Sequence, residues 1–378
     1  MSGETITVMA VGDIRSDRDN PESIMAPSAH ILREADIAFG QLEVNFSERG
    51  TPLVGRGSPR VAHPKNVSAL TYAGFDVISF ASNHALDFGY DAFFDTIDVL
   101  KKNGIEVVGA GKNLEEARKP VVLVRKGTRI AFLAYNSILM GSLRGYAADT
   151  DNPGCNPLRA YTFYESIGFN YQPGTPAKAI TFAYPEDKER MIEDIKRAKA
   201  VADVVVVSHH AGILHVRASI AMYQKEIAYA ALDAGADIIL QQHAHILKGI
   251  ETYKGKVIFY GMGNFAFEQG HLGTANKQAK WSELEEYYGL RQVPEPGWEL
   301  YTCLPESRKT FAAKFLISEN KIRKVSYIPC YINQQAQAEI LTRADERSTE
   351  VYDYVEDISR SQGLNVKFRW DGDEVVIV

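Results

Sequence analysis

The 378-residue sequence predicts an α/β fold, a layered β-sheet core with flanking helices. Three observations carry this. Short β-branched or apolar runs alternate with amphipathic helical stretches of ten or more residues. The runs are apolar throughout, as strands covered on both faces are. Five of them stop at a polar residue of metal-ligand type, at the strand ends where such sheets build sites.

The elements follow in order. Residues 5–11 are a β-branched run that ends at Gly12-Asp13. Residues 35–41 form a second run ending near Glu43, and residues 76–80 a third, followed by Ala81-Ser82-Asn83-His84. Runs at 106–109, 121–124 and 129–134 come next. Residues 203–207 hold Val204 to Val207 before Ser208-His209-His210. Residues 237–240 lead to His243-Ala244-His245, and 257–260 to Gly261-Met262-Gly263-Asn264.

Helical patterns lie between them. Residues 90–103 set Phe93, Phe94, Ile97 and Leu100 on one side of a helix that Gly104 can stop. Residues 185–200 open with proline, whose missing N–H costs nothing at that position, and then acidic residues suited to a helix start. Residues 220–234 end before Gly235. A strand at 322–327, a helix near 334–361 and strands near 365–370 and 374–378 complete the chain. The expectation is one domain over residues 1–378, with its core at about 5–268 and a tail at 322–378.

Two segments break the rhythm, residues 137–182 and 265–310. The first carries Arg144, Arg159, Tyr161, Tyr164 and Tyr171; the second His271, Lys277, Trp281, Tyr287, Tyr288, Trp298, Arg308 and Lys309. Their aromatic content argues against disorder. Both follow strand ends, so they are expected to wall a pocket, with surface decoration or a homo-oligomer contact as the other reading.

Composition narrows the class. With 42 basic and 48 acidic residues the chain is mildly acidic, at −6, and no basic face points to nucleic acid. Cys155, Cys303 and Cys330 match no metal spacing, and their odd number argues for a reducing compartment. No signal-peptide pattern and no membrane-length apolar stretch is seen, so a cytoplasmic location without a membrane span is expected.

The strand-end residues Asp13, Glu43, Asn83-His84, His209-His210 and His243-x-His245 form a mixed oxygen and nitrogen ligand set. His-x-His alone also fits a pair of ordinary loop histidines; the recurrence strengthens the metal reading. The set suits one or two divalent ions (manganese, iron or zinc, magnesium less well) rather than a thiolate site. A carboxylate shared by two ions about 3.5–4 Å apart is a hydrolytic arrangement.

With these motifs the chain resembles the CapA/PgsA-type poly-γ-glutamate (capsule) biosynthesis proteins, within the calcineurin-like metallophosphoesterase superfamily. The resemblance rests on Val11-Gly12-Asp13, Gln41-Leu42-Glu43 and Ala81-Ser82-Asn83-His84-Ala85-Leu86-Asp87-Phe88-Gly89. It continues through Val108-Gly109-Ala110-Gly111, His210-Ala211-Gly212, Ala234-Gly235-Ala236-Asp237, His243-Ala244-His245 and Tyr260-Gly261-Met262-Gly263-Asn264-Phe265.

The resemblance implies a metallophosphatase-like layered fold and a role for each residue. Glu43 matches the bridging carboxylate. Asn83, His210 and His243 match ligands of one metal, Asp13 and His245 ligands of the other. His84 matches the histidine that gives a proton or hydrogen bond to the reacting group. Asp87 either orients His84 or caps the helix that begins near Gly89. Asn264 either ties down the loop of His243 and His245 or is a turn residue. Arg15 stands where the superfamily usually has a histidine, which weakens one metal position or offers a guanidinium to an anionic substrate. His209 competes with His210 as the ligand or acts beside it; alternate residues of a strand share a face, and alignment with Gly212 selects His210. His215 could reach the pocket, whereas His30 and His63 read as structural or solvated.

The leading expectation is a metal-dependent hydrolase in which a metal-activated hydroxide attacks a phosphoester or amide/peptide-like bond of a small anionic substrate. Two alternatives stand beside it: a non-catalytic accessory of poly-γ-glutamate synthesis, and a metal enzyme of different chemistry on the same scaffold.

Overall fold

A computed structural model describes residues 4–54, 59–139, 145–166, 176–269 and 295–378. Arg144, Tyr171, His271, Lys277, Trp281, Tyr287 and Tyr288 lie outside these described residues. The chain forms a mixed α/β structure with two large sheets and flanking helices. The ten-stranded sheet runs in the order Phe368–Asp371, Glu374–Ile377, Lys321–Ile332, Lys309–Ser318, Ile6–Arg15, Ile37–Leu42, Val77–Ser79, Glu106–Val108. Asn264–Phe267 and Ala338–Ile340 join it beside Ile6–Arg15 and Lys321–Ile332. The six-stranded sheet runs Ile250–Tyr253, Lys256–Phe259, Ile238–His243, Val204–Ala211, Thr128–Asn136, Val121–Arg125.

The uniformly apolar runs explain the layering. Val8, Ala10, Ile37 and Phe39 of the first sheet share a buried cluster with Phe132, Val204, Val206 and Leu240 of the second. Phe39 stacks on Phe132 with ring centroids 5.6 Å apart, so the two sheets pack face to face. The alternate residues of the same strands face outward. Met9, Val11 and Ile78 pack with residues of Val67–Ala73 and Gly89–Lys102, while Val205, Val207 and Ile239 pack with residues of Pro185–Val201 and Met222–Ala234. Each central strand is thereby buried on both sides.

Several expectations need correction. The strands at 6 and 204 run on through the motif residues, to Arg15 and Ala211, because parallel pairing with neighbouring strands continues there. The second irregular segment opens as the strand Asn264–Phe267, and the ten-residue strand Lys309–Ser318 starts at its last two residues. The first segment contains an antiparallel hairpin, Ala160–Glu165 with Lys178–Ala183. The helix near 334–361 begins only at Glu346, where Asp345 caps it by accepting from the Arg347 N–H. The stretch before it instead pairs Ala338–Ile340 with the edge of Lys321–Ile332. Among the described residues, no helix is long and apolar enough to cross a membrane.

Candidate metal centre

Parallel pairing brings the carboxyl ends of strands from both sheets to one edge. Asp13 sits near the end of Ile6–Arg15, Glu43 just past Ile37–Leu42, and Asn83 and His84 after Val77–Ser79. From the second sheet, His210 lies within Val204–Ala211 and His243 ends Ile238–His243. Asp13, Glu43 and His210 are fully buried and present ligand atoms all within 4.8 Å of one another. His210 Nε2 lies 2.8 Å from Asn83 Oδ1 and 3.4 Å from Glu43 Oε1. His245 Nδ1 lies 3.2 Å from Asp13 Oδ2, and the His210 and His243 rings meet at 4.8 Å. Atoms that each sit about 2.1 Å from one ion, at roughly right angles, stand about 3 Å apart. The 3.4 Å between His210 Nε2 and Glu43 Oε1 has that scale, so the triad could hold a metal.

The charge balance agrees. Asp13 Oδ1, Glu43 Oε2 and His210 Nδ1 are buried without a hydrogen-bond partner among the described residues. Buried polar atoms are rarely left so, and each one calls for an explanation. Burial, then the adjacent Asp13 charge, pushes the Glu43 carboxyl well above its ordinary range. Burial and the neighbouring imidazoles of His243, His245 and His84 hold His210 neutral, the form that donates a lone pair to a metal. A cation at this point would meet both carboxylates and relieve their repulsion.

Local structure fixes these side chains. Gly12 is required by a close backbone crossing, since a Cβ there would lie 2.0 Å from the Gly263 carbonyl oxygen. The Asp13 N–H donates to that same oxygen, and Asp13 pairs in register with Asn264. Ser82 donates to Glu43 Oε1 at 2.8 Å and accepts from the His84 N–H. Asp87 lies 2.6 Å from His84 Nδ1 and also accepts from the Arg60 N–H and the Tyr146 hydroxyl. His84 Nε2 lies 3.8 Å from Glu43 Oε2, and among the described residues no side-chain hydrogen bond caps the helix Gly89–Lys102. Asn264 Oδ1 lies 2.7 Å from His245 Nδ1, a contact between the strand Asn264–Phe267 and the His-x-His loop. His243 and His245 adopt φ of +93° and +55°, conformations that cost non-glycine residues on the order of 1–3 kcal/mol and concentrate at functional sites.

Other sequence candidates fall elsewhere. His209 does not join the cluster. It is one residue from His210 on a strand, so it faces the helix side, with Nε2 2.7 Å from Ser137 Oγ and its ring edge-on to Tyr223. Arg15 donates through Nε to the Glu268 carbonyl at 2.5 Å and lies over the Phe267 ring. Burial, then the nearby Arg60, brings Arg15 down to about 9, still charged at neutral pH. His215 stacks on His245 at 5.7 Å, and its N–H donates to the Ala244 carbonyl. Arg159 and Arg308 are committed to Asp187 and Glu295. Tyr161 and Tyr164 are exposed on the hairpin. Sequence reasoning missed Ser82, although it sits inside the quoted motif, and missed Arg60, Tyr146 and Tyr301, which carry no local signal.

Comparison with known proteins decides the family. The family model described as bacterial capsule synthesis protein PGA_cap matches residues 6–269. The chain belongs to that family. This PGA_cap chain is 30% identical over 297 residues to the PGA biosynthesis protein CapA of Bacillus subtilis, covering 76% of this chain and 68% of that one. It is 29% identical to the capsule biosynthesis protein CapA of Bacillus anthracis, over 75% of this chain and 64% of that one. It thus spans about two thirds of the length of these relatives. A probable polyglutamine synthesis accessory protein of Mycobacterium tuberculosis is 30% identical over 62% of this chain and 56% of its own. A solved structure of a hypothetical protein from Thermus thermophilus aligns over 86% of this chain and 98% of its own, at 15% identity and a TM-score of 0.45.

Proposed function

We propose that this chain is a metal-dependent hydrolase of the PGA_cap family, a single domain with a metallophosphatase-like layering. The observation that carries the reading is the buried cluster of Asp13, Glu43 and His210, whose ligand atoms lie within 4.8 Å of one another and in which Asp13 Oδ1 and Glu43 Oε2 have no hydrogen-bond partner among the described residues. In this reading Asn83, His210 and His243 would hold one ion and Asp13 and His245 a second, with the Glu43 carboxylate available to either. A manganese, iron or zinc ion held there would supply an acidified water and positive charge for cleavage of a phosphoester or an amide/peptide-like bond. The chain's own residues do the rest. Asp87 accepts from His84 Nδ1, which leaves His84 Nε2 toward Glu43 to exchange a proton with the reacting group. Arg15, charged and buried beside the cluster, offers its guanidinium to the anionic part of a small substrate.

A second reading is favoured by the word accessory in the mycobacterial relatives' names: the centre is structural and the chain assists polyglutamate synthesis without catalysis. Arg15 in place of a histidine also leaves room for altered chemistry at a single ion. Metal content by plasma mass spectrometry separates these readings. One or two equivalents, lost in His243→Ala with the fold intact, support the hydrolase and justify a screen of phosphoesters, γ-glutamyl peptides and cyclic amides. No metal after reconstitution sinks the hydrolase in favour of the accessory role.

A further inference from the structure

We infer that Tyr301, which lies outside the segment matched by the family model, is a positioning residue that fixes the tautomer of His245 through the Asn264 amide. The proposal rests on the metal-centre reading above for its consequence but not for its geometry. The Ser307 hydroxyl donates to the Leu304 carbonyl at 2.5 Å, so it can only accept from Tyr301. The fully buried Tyr301 hydroxyl then sends its one hydrogen to Ser307, whose carbonyl is 2.8 Å away and whose Oγ is 3.0 Å away. Toward Asn264, at 3.0 Å, the Tyr301 oxygen can therefore only accept, and the amide atom facing it is Nδ2.

A second contact orients the amide the same way. The Cys303 thiol donates to Gln269 Oε1 at 3.0 Å and presents sulfur to Asn264 Nδ2 at 3.7 Å. With Nδ2 held on that side, Oδ1 must face His245 Nδ1 at 2.7 Å, where Asp13 Oδ2, 3.2 Å from the same nitrogen, is a second acceptor. An amide oxygen cannot donate, so Nδ1 carries the hydrogen and the lone pair of His245 is confined to Nε2. A metal-binding histidine has its free nitrogen chosen by the hydrogen bond of the other. Here the choice made by the Asp13 carboxylate is reinforced from a residue 56 positions away that no motif marks.

The test is run on the full chain stripped of metal, with cobalt(II) as the probe. Long-range proton–nitrogen spectra at a pH where the imidazoles are neutral give the His245 tautomer, assigned by its loss in His245→Gln. The expected result is a single Nδ1–H form in the wild type and a tautomer mixture in Tyr301→Phe, with cobalt affinity reduced about ten- to a hundredfold and circular dichroism unchanged. Should Tyr301→Phe fail to fold, Asn264→Leu is measured instead and must show the same two changes. A fixed tautomer and undiminished cobalt affinity in the folded variant overturn the relay while leaving the metal reading intact. A tautomer released by the variant in a protein that never binds cobalt sustains the relay and removes the metal reading.

Discussion

His209 and His210 are neighbours on one strand, equally buried, yet their surroundings differ in kind. His209 has both ring nitrogens answered by protein groups, Ser137 at 2.7 Å and Gln241 at 3.3 Å. His210 has Nε2 among the oxygens of Asn83 and Glu43, and Nδ1 with no partner among the described residues. One face of the strand completes its polar pairing within the chain; the other does not. The second condition is costly in a folded protein unless something from outside supplies the missing partner.

The largest expected effect cuts between the two. His210→Ala is expected to weaken manganese or zinc binding more than about a hundredfold, since even outer-shell changes cost ten- to a hundredfold. Its metal-free unfolding free energy should fall by less than that of His209→Ala, about 1–2 kcal/mol, because the cavity and the lost Asn83 contact are partly offset by removal of an unpaired buried nitrogen. Calorimetric titration beside urea unfolding checks both. His209→Ala should do the reverse: metal binding unchanged, stability down by about 2–4 kcal/mol from the cavity and two broken hydrogen bonds. Equal metal loss in the two variants would erase the distinction.

Acid sharpens it further. Burial lowers His209 from its ordinary 6.5 to about 3, so its contribution is present above 6.5 and lost as pH falls toward 3. At about 1.4 kcal/mol per pH unit this amounts to about 2 kcal/mol between pH 6.5 and 5. His209→Gln should flatten that part of the stability profile in urea melts taken across the range. The last effect has the opposite sign. Glu43 is raised above its ordinary 4.5, so the metal-free protein is favoured below that value and loses up to about 1.4 kcal/mol per pH unit above it, until the carboxyl ionises. Glu43→Gln should abolish this loss, and manganese should abolish it in the wild type. A metal-free wild type whose stability ignores pH in the same way as the glutamine variant would remove the buried repulsion between Asp13 and Glu43.

What could be read from the sequence follows the physics of the strands. A strand covered on both faces is an uninterrupted apolar run, so its end, and the polar residue placed there, stand out; Asp13, Glu43, Asn83 and His243 were visible for this reason. The face a residue takes depends on register, which alternates at every position, and this separates His209 from His210 only once pairing to Gln241 and Gln242 is known. The early part of the helix expected near 334–361 was misread because Gln, Ala and Glu favour helix locally, while an unpaired sheet edge took Ala338–Ile340 instead. Tyr146 and Tyr301 were invisible: each meets the centre through side-chain contacts made across tens of residues, with no spacing or composition to announce them.

The register that sets Asp13 beside Asn264 spans 251 residues of chain. On a ribosome adding about 5–20 residues per second, that interval lasts roughly 10–50 s. During synthesis the early candidate residues Asp13, Glu43 and Asn83 leave the ribosome long before His210, His243 and Asn264 emerge. In the metal-centre reading proposed above, a nascent chain would offer passing ions only fragments of a site, and metal selection would wait until the two sheets have closed on each other.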